Sequence, residues 1–571
     1  MYLTTPIFIE SFQHGLLFVG SIHLIYTLIK IYIMLHKNFT LITIVVLLTG
    51  IAFTNCKSQV KTVVVTRDSI PKITAKEMGI PGNFSAQTTI KFDSSLIKSF
   101  LDSFPKFKPF EKDIVGFYKG RNYAYAWYDD KGMIEPANNL YNRILNIGDE
   151  GVPDFVPYKT AFSAMMETEE GSDKIAPTVE LMLTSQYLAY AKGVWVGLSE
   201  KQSLATEWLL PRKKISSQQL LDSLVSSKNF IDNSPTYRQY ALLKDYLKKY
   251  NNLKVQGKFE TIKADKKMYK LADSSATVLA IRERLFQLGD LTKNSGSNIF
   301  DDSLTSGVKS FEQRLGYKED GIVNAALINE MNYPIEKRIE QIMVNMERSR
   351  WLPIEPSGDY LAVNIPEYKL HVYEKGSLAF DINVVVGKNQ HKTVIFSGDM
   401  KHIVFSPYWN IPASILKNET LPAIKKNPGY LAKHNMEWNG GNVRQKPGPN
   451  NSLGLVKFLF PNSHSIYLHD TPAKSLFKED NRAFSHGCIR LAEPKRLAQY
   501  LLRNDKNWDD TKITAAMNKG VEQYVTLKTT VPVYIAYFTA WVDRQGKLNF
   551  RKDVYQRDSR LAQMILEKSG I

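Results

Sequence analysis

The sequence predicts a multidomain α+β protein, with a mainly helical region, then a three-helix unit, then a mostly β domain that carries an inserted flap. Three observations support this fold class. The chain has 571 residues, which is more than a single hydrophobic core usually organises. Apolar residues recur at helical spacing between about residues 86 and 350. From Tyr360 onward they alternate with a period of two, as in strands.

The composition is that of a globular chain with a basic surplus. Hydrophobic residues make up 43% and aromatic residues 11% of the chain, which excludes a largely disordered protein. The formal net charge is +17, a surplus that attracts nucleic acid, anionic membranes or carboxylate-rich polymers. Because the basic residues form no run typical of nucleic-acid binding, we expect no nucleic-acid partner.

The N-terminal segment carries one of the two cysteines of the chain. From Met34 a short charged start leads into an apolar stretch over residues 39–53, and Cys56 follows. This order resembles a bacterial lipoprotein signal at residues 34–56, which implies that Cys56 is lipidated. A simple signal anchor is the alternative. We expect the rest of the chain to be extracytoplasmic, facing the periplasm and anchored to the membrane.

Residues 1–33 contain a second apolar stretch, which His23 and Lys30 interrupt. This stretch is either a genuine membrane span or an extension that precedes a true start at Met34. A complete signal that begins at Met34 favours the second interpretation.

Changes in composition and periodicity divide the rest of the chain. Residues 57–85 are polar, contain two prolines and are expected to form a linker. The units predicted after it are a helical scaffold domain (86–265), a three-helix unit (270–333), a linker helix (334–356), a mostly β domain (357–540) and a C-terminal tail (541–571). A Lys-rich insertion at about 415–439 is expected to form a flap over the site, with a plain surface excursion as the alternative.

The three-helix unit shows a pattern of turns and helix faces. It reads L-F-Q-L-G-D-L at residues 285–291, G-V-K-S-F-E at 307–312 and D-G at 320–321. The pattern resembles the small peptidoglycan-binding module, from which Gly307 and Glu312 depart, since alanine and glutamine are usual there. The resemblance implies the fold, while glycan binding and a purely structural spacer both stay open.

The second cysteine, Cys488, lies in the sequence S-H-G-C-I-R at residues 485–490. A thiol becomes a nucleophile where a nearby base favours the thiolate, and histidine is such a base at neutral pH. Gly487 allows a tight turn that directs backbone N–H groups toward a reacting carbonyl oxygen. A buried structural thiol is the alternative, but the dense S-H-G-C context favours catalysis.

A metal site is a second interpretation, because seven of the ten histidines follow residue 370. The candidate ligands that lie close in sequence are His464, His469, His486 and Cys488. They show neither an H-x-x-x-H nor a C-x-x-C spacing, so we expect no metal and no cofactor. His464 lies in a polar turn and is expected at the surface, whereas His371 and His402 lie within strand patterns and are expected to be ordinary sheet residues.

His469 follows a predicted strand at residues 465–468, and fifteen residues separate it from Ser485. The spacing H-x(14–17)-S-H-G-C resembles the signature of the YkuD-type L,D-transpeptidase catalytic domain. The sequences I-Y-L-H-D-T-P at 466–472 and R-S-R-W-L-P at 348–353 resemble its large multidomain members, which also carry scaffold and peptidoglycan-binding domains. The likeness covers roughly residues 90–540.

The resemblance implies a role for each matching residue. Cys488 would be the nucleophile and His469 its general base, oriented by the backbone carbonyl of Asp470. The N–H groups implied for the oxyanion hole are those of His486, Gly487 and Cys488, in a loop that begins at Ser485. The further orienting or substrate-facing residues implied by the resemblance are Arg490, Tyr408, Trp409 and Asn410.

The resemblance also implies a reaction. Cys488 would attack the third-residue carbonyl of a peptidoglycan tetrapeptide and release D-alanine. The thioester would then pass its acyl group to an amine of a neighbouring stem, giving a 3→3 cross-link. An L,D-carboxypeptidase or wall-peptide hydrolase that uses the same cysteine is the first alternative, and a wall-binding scaffold with an inactive cysteine is the second. The expected partners are peptidoglycan stem peptides and, through the N-terminal segment, a membrane.

Overall fold

Helices dominate the structure as far as residue 351, which confirms the predicted fold class for this part of the chain. The computed structural model describes residues 90–169, 176–216, 237–257, 259–353 and 358–567. The predicted signal, Cys56 and the predicted linker at 57–85 lie outside the described residues. The helices of the first region are α1 (Ser95–Ser103), α2 (Glu111–Gly120), α3 (Glu135–Leu145), α4 (Lys159–Glu169), α5 (Pro177–Tyr190), α6 (Glu200–Ala205) and α7 (Arg238–Gln256), with a two-stranded hairpin of β1 (Tyr128–Asp129) and β2 (Gly132–Met133).

The central helix of this region is α5, which is buried at every residue from 179 to 190. Its carboxylate, Glu180, accepts hydrogen bonds from the backbone N–H groups of Ala126 and Trp127 and from the hydroxyl of Tyr118, at 2.6, 3.0 and 2.7 Å. Burial raises the pKa of Glu180 to about 7. Because three donors satisfy the buried carboxylate, we interpret it as a structural cross-link of the scaffold.

The three-helix unit consists of α8 (Ala276–Leu288), α9 (Asp302–Leu315) and α10 (Ala325–Met331), beside the paired strands β3 (Met268–Tyr269) and β4 (Val323–Asn324). The structure explains both departures from the usual pattern. A Cβ atom at Gly307 would lie 2.5 Å from the side chain of Leu291, so glycine fits here, whereas alanine would require Leu291 to move. The Glu312 carboxylate accepts the N–H of Gly321 at 2.9 Å and thereby fixes the turn between α9 and β4.

The long helix α11 (Ile335–Trp351) connects this unit to the last domain and is buried continuously from residue 344 to 351. Arg350 is fully buried, donates to the carbonyl of Val194 at 2.7 Å and pairs with Glu347 at 2.8 Å. Arg348 pairs with Asp558 at 2.8 Å near the end of the chain. The R-S-R-W motif therefore joins the scaffold to the last domain through a buried hydrogen bond to Val194 on one side and a buried ion pair with Asp558 on the other.

The last domain is built on a nine-stranded sheet. Its strands are β5 (Tyr360–Asn364), β6 (Lys369–Glu374), β7 (Ser377–Gly387), β8 (Ser397–Phe405), β12 (Val456–Leu459), β13 (Leu468–His469), β14 (Ala483–Ser485), β15 (Ile489–Leu491) and β16 (Gln523–Ala536), in the spatial order β14-β7-β15-β13-β12-β8-β16-β5-β6. Because β6 also pairs with β7, the strands from β7 to β6 close on themselves. Helices α15 (Pro494–Leu502) and α16 (Asp510–Asn518) accompany the sheet.

The predicted flap is a small subdomain of mixed structure. Its helical elements are α12 (Ala413–Ile415), a π-helical turn (Leu416–Thr420), α13 (Leu421–Lys426) and α14 (Tyr430–Lys433). It continues into the hairpin of β10 (Met436–Asn439) and β11 (Asn442–Gln445), which pairs with β9 (Trp409–Asn410). We call residues 413–445 the cap. The cap differs from the prediction because its last part is a hairpin that extends beyond residue 439.

Two other expectations differ from the structure. The strand expected at 465–468 is shorter and later, since Ser465 has a positive φ of 55° and pairing includes only Leu468 and His469. The residues after 540, expected to form a tail, fold as β17 (Ala540–Val542), β18 (Leu548–Phe550) and α17 (Asp558–Glu567), with Leu561 fully buried. In the part of the chain that the structure describes, no helix is both long and apolar enough to cross a membrane.

Candidate active site

The register of two short parallel strands brings the predicted catalytic residues to one face of the sheet. In the pairing of β13 with β15, Leu468 lies opposite Ile489 and His469 lies opposite Arg490. Since side chains alternate along a strand, residues two apart share a face. The four side chains that share this face are Tyr467, His469, Cys488 and Arg490. Leu468 and Ile489 point the other way and are fully buried in the hydrophobic core.

Cys488 lies in a setting that favours the thiol. Its Sγ donates a hydrogen bond to the backbone carbonyl of Ser465 at 3.7 Å. Burial raises the pKa of the Cys488 thiol, while hydrogen bonds from the backbone and the hydroxyl of Tyr467, and the charge of Arg490, act in the opposite direction. Burial is the largest of these effects, so the resting side chain is a thiol whose sulfur already has donors that would stabilise a thiolate.

His469 is 4% exposed and is held by the residue that follows it. Its Nδ1 lies 2.5 Å from the backbone carbonyl oxygen of Asp470, which places the proton on Nδ1 and leaves the lone pair of Nε2 free to accept a proton. Burial, together with the charges of Arg490, Lys457 and Lys474, lowers the pKa of His469 to about 3. The imidazole is therefore neutral throughout the physiological range. Among the described residues, no hydrogen bond joins His469 to Cys488.

The side chain of Asp470 supports this arrangement. It accepts the N–H groups of Leu455 and Thr471 at 2.8 and 2.7 Å, and Lys474 Nζ lies 2.6 Å from it. The carboxylate thus fixes the backbone of its own residue, and this backbone carries the carbonyl that orients His469.

The loop at 485–488 is fixed by its serine. Ser485 Oγ donates to the carbonyl of Cys488 at 2.6 Å and accepts the N–H of Gly487 at 3.1 Å. Thr393 Oγ1 donates to the carbonyl of Gly487 at 2.8 Å. The N–H of Gly487, one of the three donors expected for the oxyanion hole, is thus accepted by Ser485 in this structure. The N–H groups of His486 and Cys488 form no hydrogen bond with the described residues and are the remaining donors.

The side chain of His486 contacts the cap. Its Nε2 lies 3.0 Å from Glu419 Oε1 in the π-helical turn of the cap, and its ring lies 4.9 Å from the ring of His391. The residue therefore joins the nucleophile loop to the cap.

The three consecutive residues 408–410 have different positions. Trp409 reaches the site, since its indole N–H interacts with the hydroxyl of Tyr467. Tyr408 lies under the guanidinium of Arg444, 4.0 Å from the ring centroid, and Asn410 is exposed on β9. Of the three, Trp409 is the residue that the structure connects to the nucleophile, through the hydroxyl of Tyr467.

Sequence reasoning missed two residues of the site. Tyr467 lies two positions before His469, and the period of a strand could have placed it on the same face. Lys457 lies directly opposite His469 in the antiparallel pairing of β12 with β13, and its Nζ is 3.8 Å from Glu522. No signal along the chain indicates this neighbour, because the pairing of the two strands is not visible in the sequence.

The other three histidines considered in the sequence lie outside this face. His464 is exposed, as expected for its turn, and His402 lies 3.1 Å from the hydroxyl of Thr526 on the neighbouring strand. His371 is no ordinary sheet residue, since its ring nitrogens lie 2.6 Å from Asp381 and 3.0 Å from Glu367. Among the described residues, no group of three or more His, Cys, Asp or Glu side chains is arranged to hold a metal ion.

Comparison with known families gives three matches along the chain. Residues 358–534 match the family model of the L,D-transpeptidase catalytic domain (YkuD). Residues 112–247 match a scaffold domain, and residues 274–331 match a putative peptidoglycan binding domain. The motif-based resemblance is thereby confirmed at the level of these domains.

Individual relatives show the same similarity. A putative L,D-transpeptidase of Haemophilus influenzae is 32% identical over 243 residues, which cover 39% of this chain and 49% of the relative. The chain thus spans about half the length of this curated relative. An L,D-transpeptidase structure from Xylanimonas cellulosilytica is 12% identical, with a TM-score of 0.16, and covers 48% of this chain and 100% of that one. An L,D-transpeptidase structure from Mycobacterium smegmatis is also 12% identical, with a TM-score of 0.19, and the match covers 31% of this chain and 58% of that one.

Proposed function

From the L,D-transpeptidase catalytic domain that this chain contains, we propose that the protein forms 3→3 cross-links between peptidoglycan stem peptides through a thioester on Cys488. The observation that supports this function is the shared face of β13 and β15. There a thiol with hydrogen-bond donors on its sulfur lies beside a neutral, oriented imidazole. This combination is what nucleophilic acyl transfer requires.

The first step forms the thioester. Rotation about the Cα–Cβ bond of Cys488 moves Sγ from the carbonyl of Ser465 toward His469, whose Nε2 takes the thiol proton. The sulfur attacks the carbonyl carbon of the third stem residue, and the free N–H groups of His486 and Cys488 stabilise the oxyanion. The C–N bond to the terminal D-alanine breaks, and its amine leaves with the proton that His469 returns.

The second step transfers the acyl group. The side-chain amine of a third residue on a neighbouring stem attacks the thioester and gives its proton to His469, and the C–S bond breaks. The sulfur leaves as a thiolate, stabilised by Tyr467, and recovers its proton from His469. A thioester retains enough reactivity to acylate an amine without ATP. If water replaces the amine, the same steps give an L,D-carboxypeptidase.

The other domains would place this reaction at the cell wall. The putative peptidoglycan binding domain supports peptidoglycan as the substrate, and a wall substrate supports an extracytoplasmic location. We further propose that the signal-like segment 34–56 anchors the chain to a membrane by lipidation of Cys56. Metabolic labelling with a lipid precursor, compared between the wild type and Cys56→Ser, would test the anchor separately from the reaction.

The proposed reaction is tested with purified tetrapeptide muropeptides and mass spectrometry. Cross-linked dimers with loss of D-alanine support transfer, whereas tripeptide monomers alone support the carboxypeptidase. Cys488→Ala should abolish both products, and Cys56→Ser provides the matched control because it removes the other cysteine of the chain. Products of undiminished yield from Cys488→Ala would overturn the mechanism.

A further inference from the structure

Three basic side chains lie in a row across neighbouring strands of the catalytic sheet. Lys457 on β12 is the register partner of His469 on β13, and His469 is the register partner of Arg490 on β15. Register partners on adjacent strands point to the same face. The row therefore places one cation on each side of the proposed base.

The charge of this row is incompletely compensated. Arg490 forms no ion pair and no side-chain hydrogen bond with the described residues, and its Nε is buried without a partner. Lys457 is 9% exposed, and the carboxylate that pairs with it, Glu522, lies at 3.8 Å. A cation withdrawn from water without a counter-ion is costly, so a half-buried guanidinium with an unpartnered Nε beside a nucleophile indicates a site for an anion.

We propose that Arg490, with Lys457 beside it, receives a carboxylate of the donor stem peptide, and that this carboxylate converts His469 into a competent base. The inference rests on the proposed transpeptidase function and adds the chemical feature by which the donor is recognised. Arg490 is the contact to the carboxylate, and Lys457 is a positioning residue that acts through His469.

The conversion follows from the charges that face His469. Arg490 and Lys457 lie on its two sides, and Lys474 is further off and already paired with Asp470. The phenol of Tyr467 also faces it, with 5.7 Å between the ring centroids. Cations disfavour the imidazolium, whereas an anion within about 4–6 Å favours it. A bound carboxylate therefore cancels the repulsion at the moment when His469 must take the proton of the thiol. It also cancels the support that Arg490 gives to the thiolate, which then depends on the backbone and hydroxyl of Tyr467, both stronger effects on Cys488 than the charge of Arg490.

A tetrapeptide stem can supply this carboxylate from two places. One is the C-terminal carboxylate of the fourth residue, which is adjacent to the scissile bond. The other is a side-chain carboxylate of the third residue, which is present when that residue is a diamino dicarboxylic acid. Both sources share the chemistry that a guanidinium recognises, and the test separates them.

Four synthetic tetrapeptide donors form the arms of the test, with each of the two carboxylates free or amidated. The full-length protein is mixed with each donor, and the rate of acyl-enzyme formation on Cys488 is measured by quenched mass spectrometry. For the wild type, amidation of the recognised carboxylate should lower this rate at least tenfold. Arg490→Gln should remove the difference between the donors. Lys457→Gln should reduce it and shift the acidic limb of the pH profile of kcat/KM to higher pH.

The control is Lys401→Gln, which removes an exposed lysine from β8 and should keep the wild-type preference. Alkylation of Cys488 by iodoacetamide, which carries no carboxylate, shows that the thiol of each variant remains nucleophilic, and an unchanged thermal unfolding midpoint shows that the variant remains folded. Two outcomes overturn the inference and leave the proposed function intact. One is equal acylation of the wild type by all four donors, and the other is a preference for the free carboxylate that persists in Arg490→Gln. Failure of the wild type with every donor, while iodoacetamide still reacts, overturns both.

Discussion

Replacing Tyr467 by phenylalanine removes the hydroxyl that lies against Cys488 Sγ and keeps the aromatic ring. In the native protein this hydroxyl stabilises the thiolate, and burial together with the nearby sulfur raises its own pKa. The substitution should therefore raise the pKa of Cys488 further and reduce the fraction of thiolate at any pH below that pKa.

The magnitude follows from the type of hydrogen bond that is lost. A hydrogen bond to a charged group contributes about 1.5–3 kcal/mol, and a change of one pKa unit corresponds to about 1.4 kcal/mol. The pKa of the thiol should then rise by about 1 to 2 units, which lowers the thiolate population by about 10- to 100-fold. Because a more basic thiolate is also more nucleophilic, with a Brønsted coefficient of about 0.4–0.5, the net fall in rate is about 3- to 16-fold.

The assay is pseudo-first-order alkylation by iodoacetamide, followed by intact-protein mass spectrometry between pH 6 and 9. Cys56→Ser provides the background, so that Cys488 is the single thiol of the chain. Tyr500→Phe is the matched control, because its hydroxyl donates to the carbonyl of Tyr373 at 2.8 Å, away from the catalytic face. Superimposable profiles for the wild type and Tyr467→Phe would refute the contact between the hydroxyl and the nucleophile.

Three further predictions follow from the same structure. The pH profile of kcat/KM, which reports the free enzyme, should show no acidic inflection near pH 6.5, because His469 stays deprotonated down to about pH 3. An inflection at pH 6.5 would contradict the burial of His469 beside two cations. His371 has its pKa raised to about 10, so its ion pairs stabilise the fold fully below about pH 6.5 and are lost as the pH rises toward 10. In urea unfolding, His371→Gln should then cost about 3–5 kcal/mol at pH 6 and much less at pH 10, and an equal cost at both would refute the pairing. Gly454→Ala places a Cβ atom against the carboxylate of Asp470 and should displace the backbone carbonyl that orients His469. We expect kcat to fall at least tenfold while alkylation of Cys488 stays near the wild-type rate. An unchanged kcat would show that this carboxylate does not position the base.

The sequence predicted those parts of the fold whose pattern is local. The spacing of apolar residues located β5 to β8 to within about five residues. The alternation is regular in β6, which has one face in the core, whereas β5 is buried on both faces. The S-H-G-C spacing singled out Cys488 and His469, because a turn made by glycine and a strand end are both encoded by neighbouring residues. The roles assigned to the two residues stay predictions until the variants are measured.

What the sequence could not predict depends on pairing between distant segments. Residues 456–458 are all buried, so β12 shows no alternation from which the direction of Lys457 could be inferred. The residues after 540 were expected to form a tail, because a strand of three residues such as β17 is too short to show a period along the sequence. Distant residues hold this strand in part: the side chain of Gln239 makes two hydrogen bonds to the backbone of Val542. The hydrogen bond from the Gly487 N–H to Ser485 Oγ depends on the rotamer of Ser485, which no sequence pattern specifies.

Burial and charge act on the two proposed catalytic groups in a way that explains why both rest in the neutral form. Burial disfavours the thiolate of Cys488 and the imidazolium of His469 alike. The charge of Arg490 favours the thiolate but disfavours the imidazolium, so in the free protein it cannot drive the proton from one group to the other. In the proposed complex, an anion that neutralises Arg490 favours the imidazolium, and the thiolate is stabilised by the backbone and hydroxyl of Tyr467, which act on Cys488 more strongly than Arg490 does. By this proposal, a nucleophile held in this way stays a thiol, the form least open to oxidation, until a carboxylate-bearing donor occupies the site.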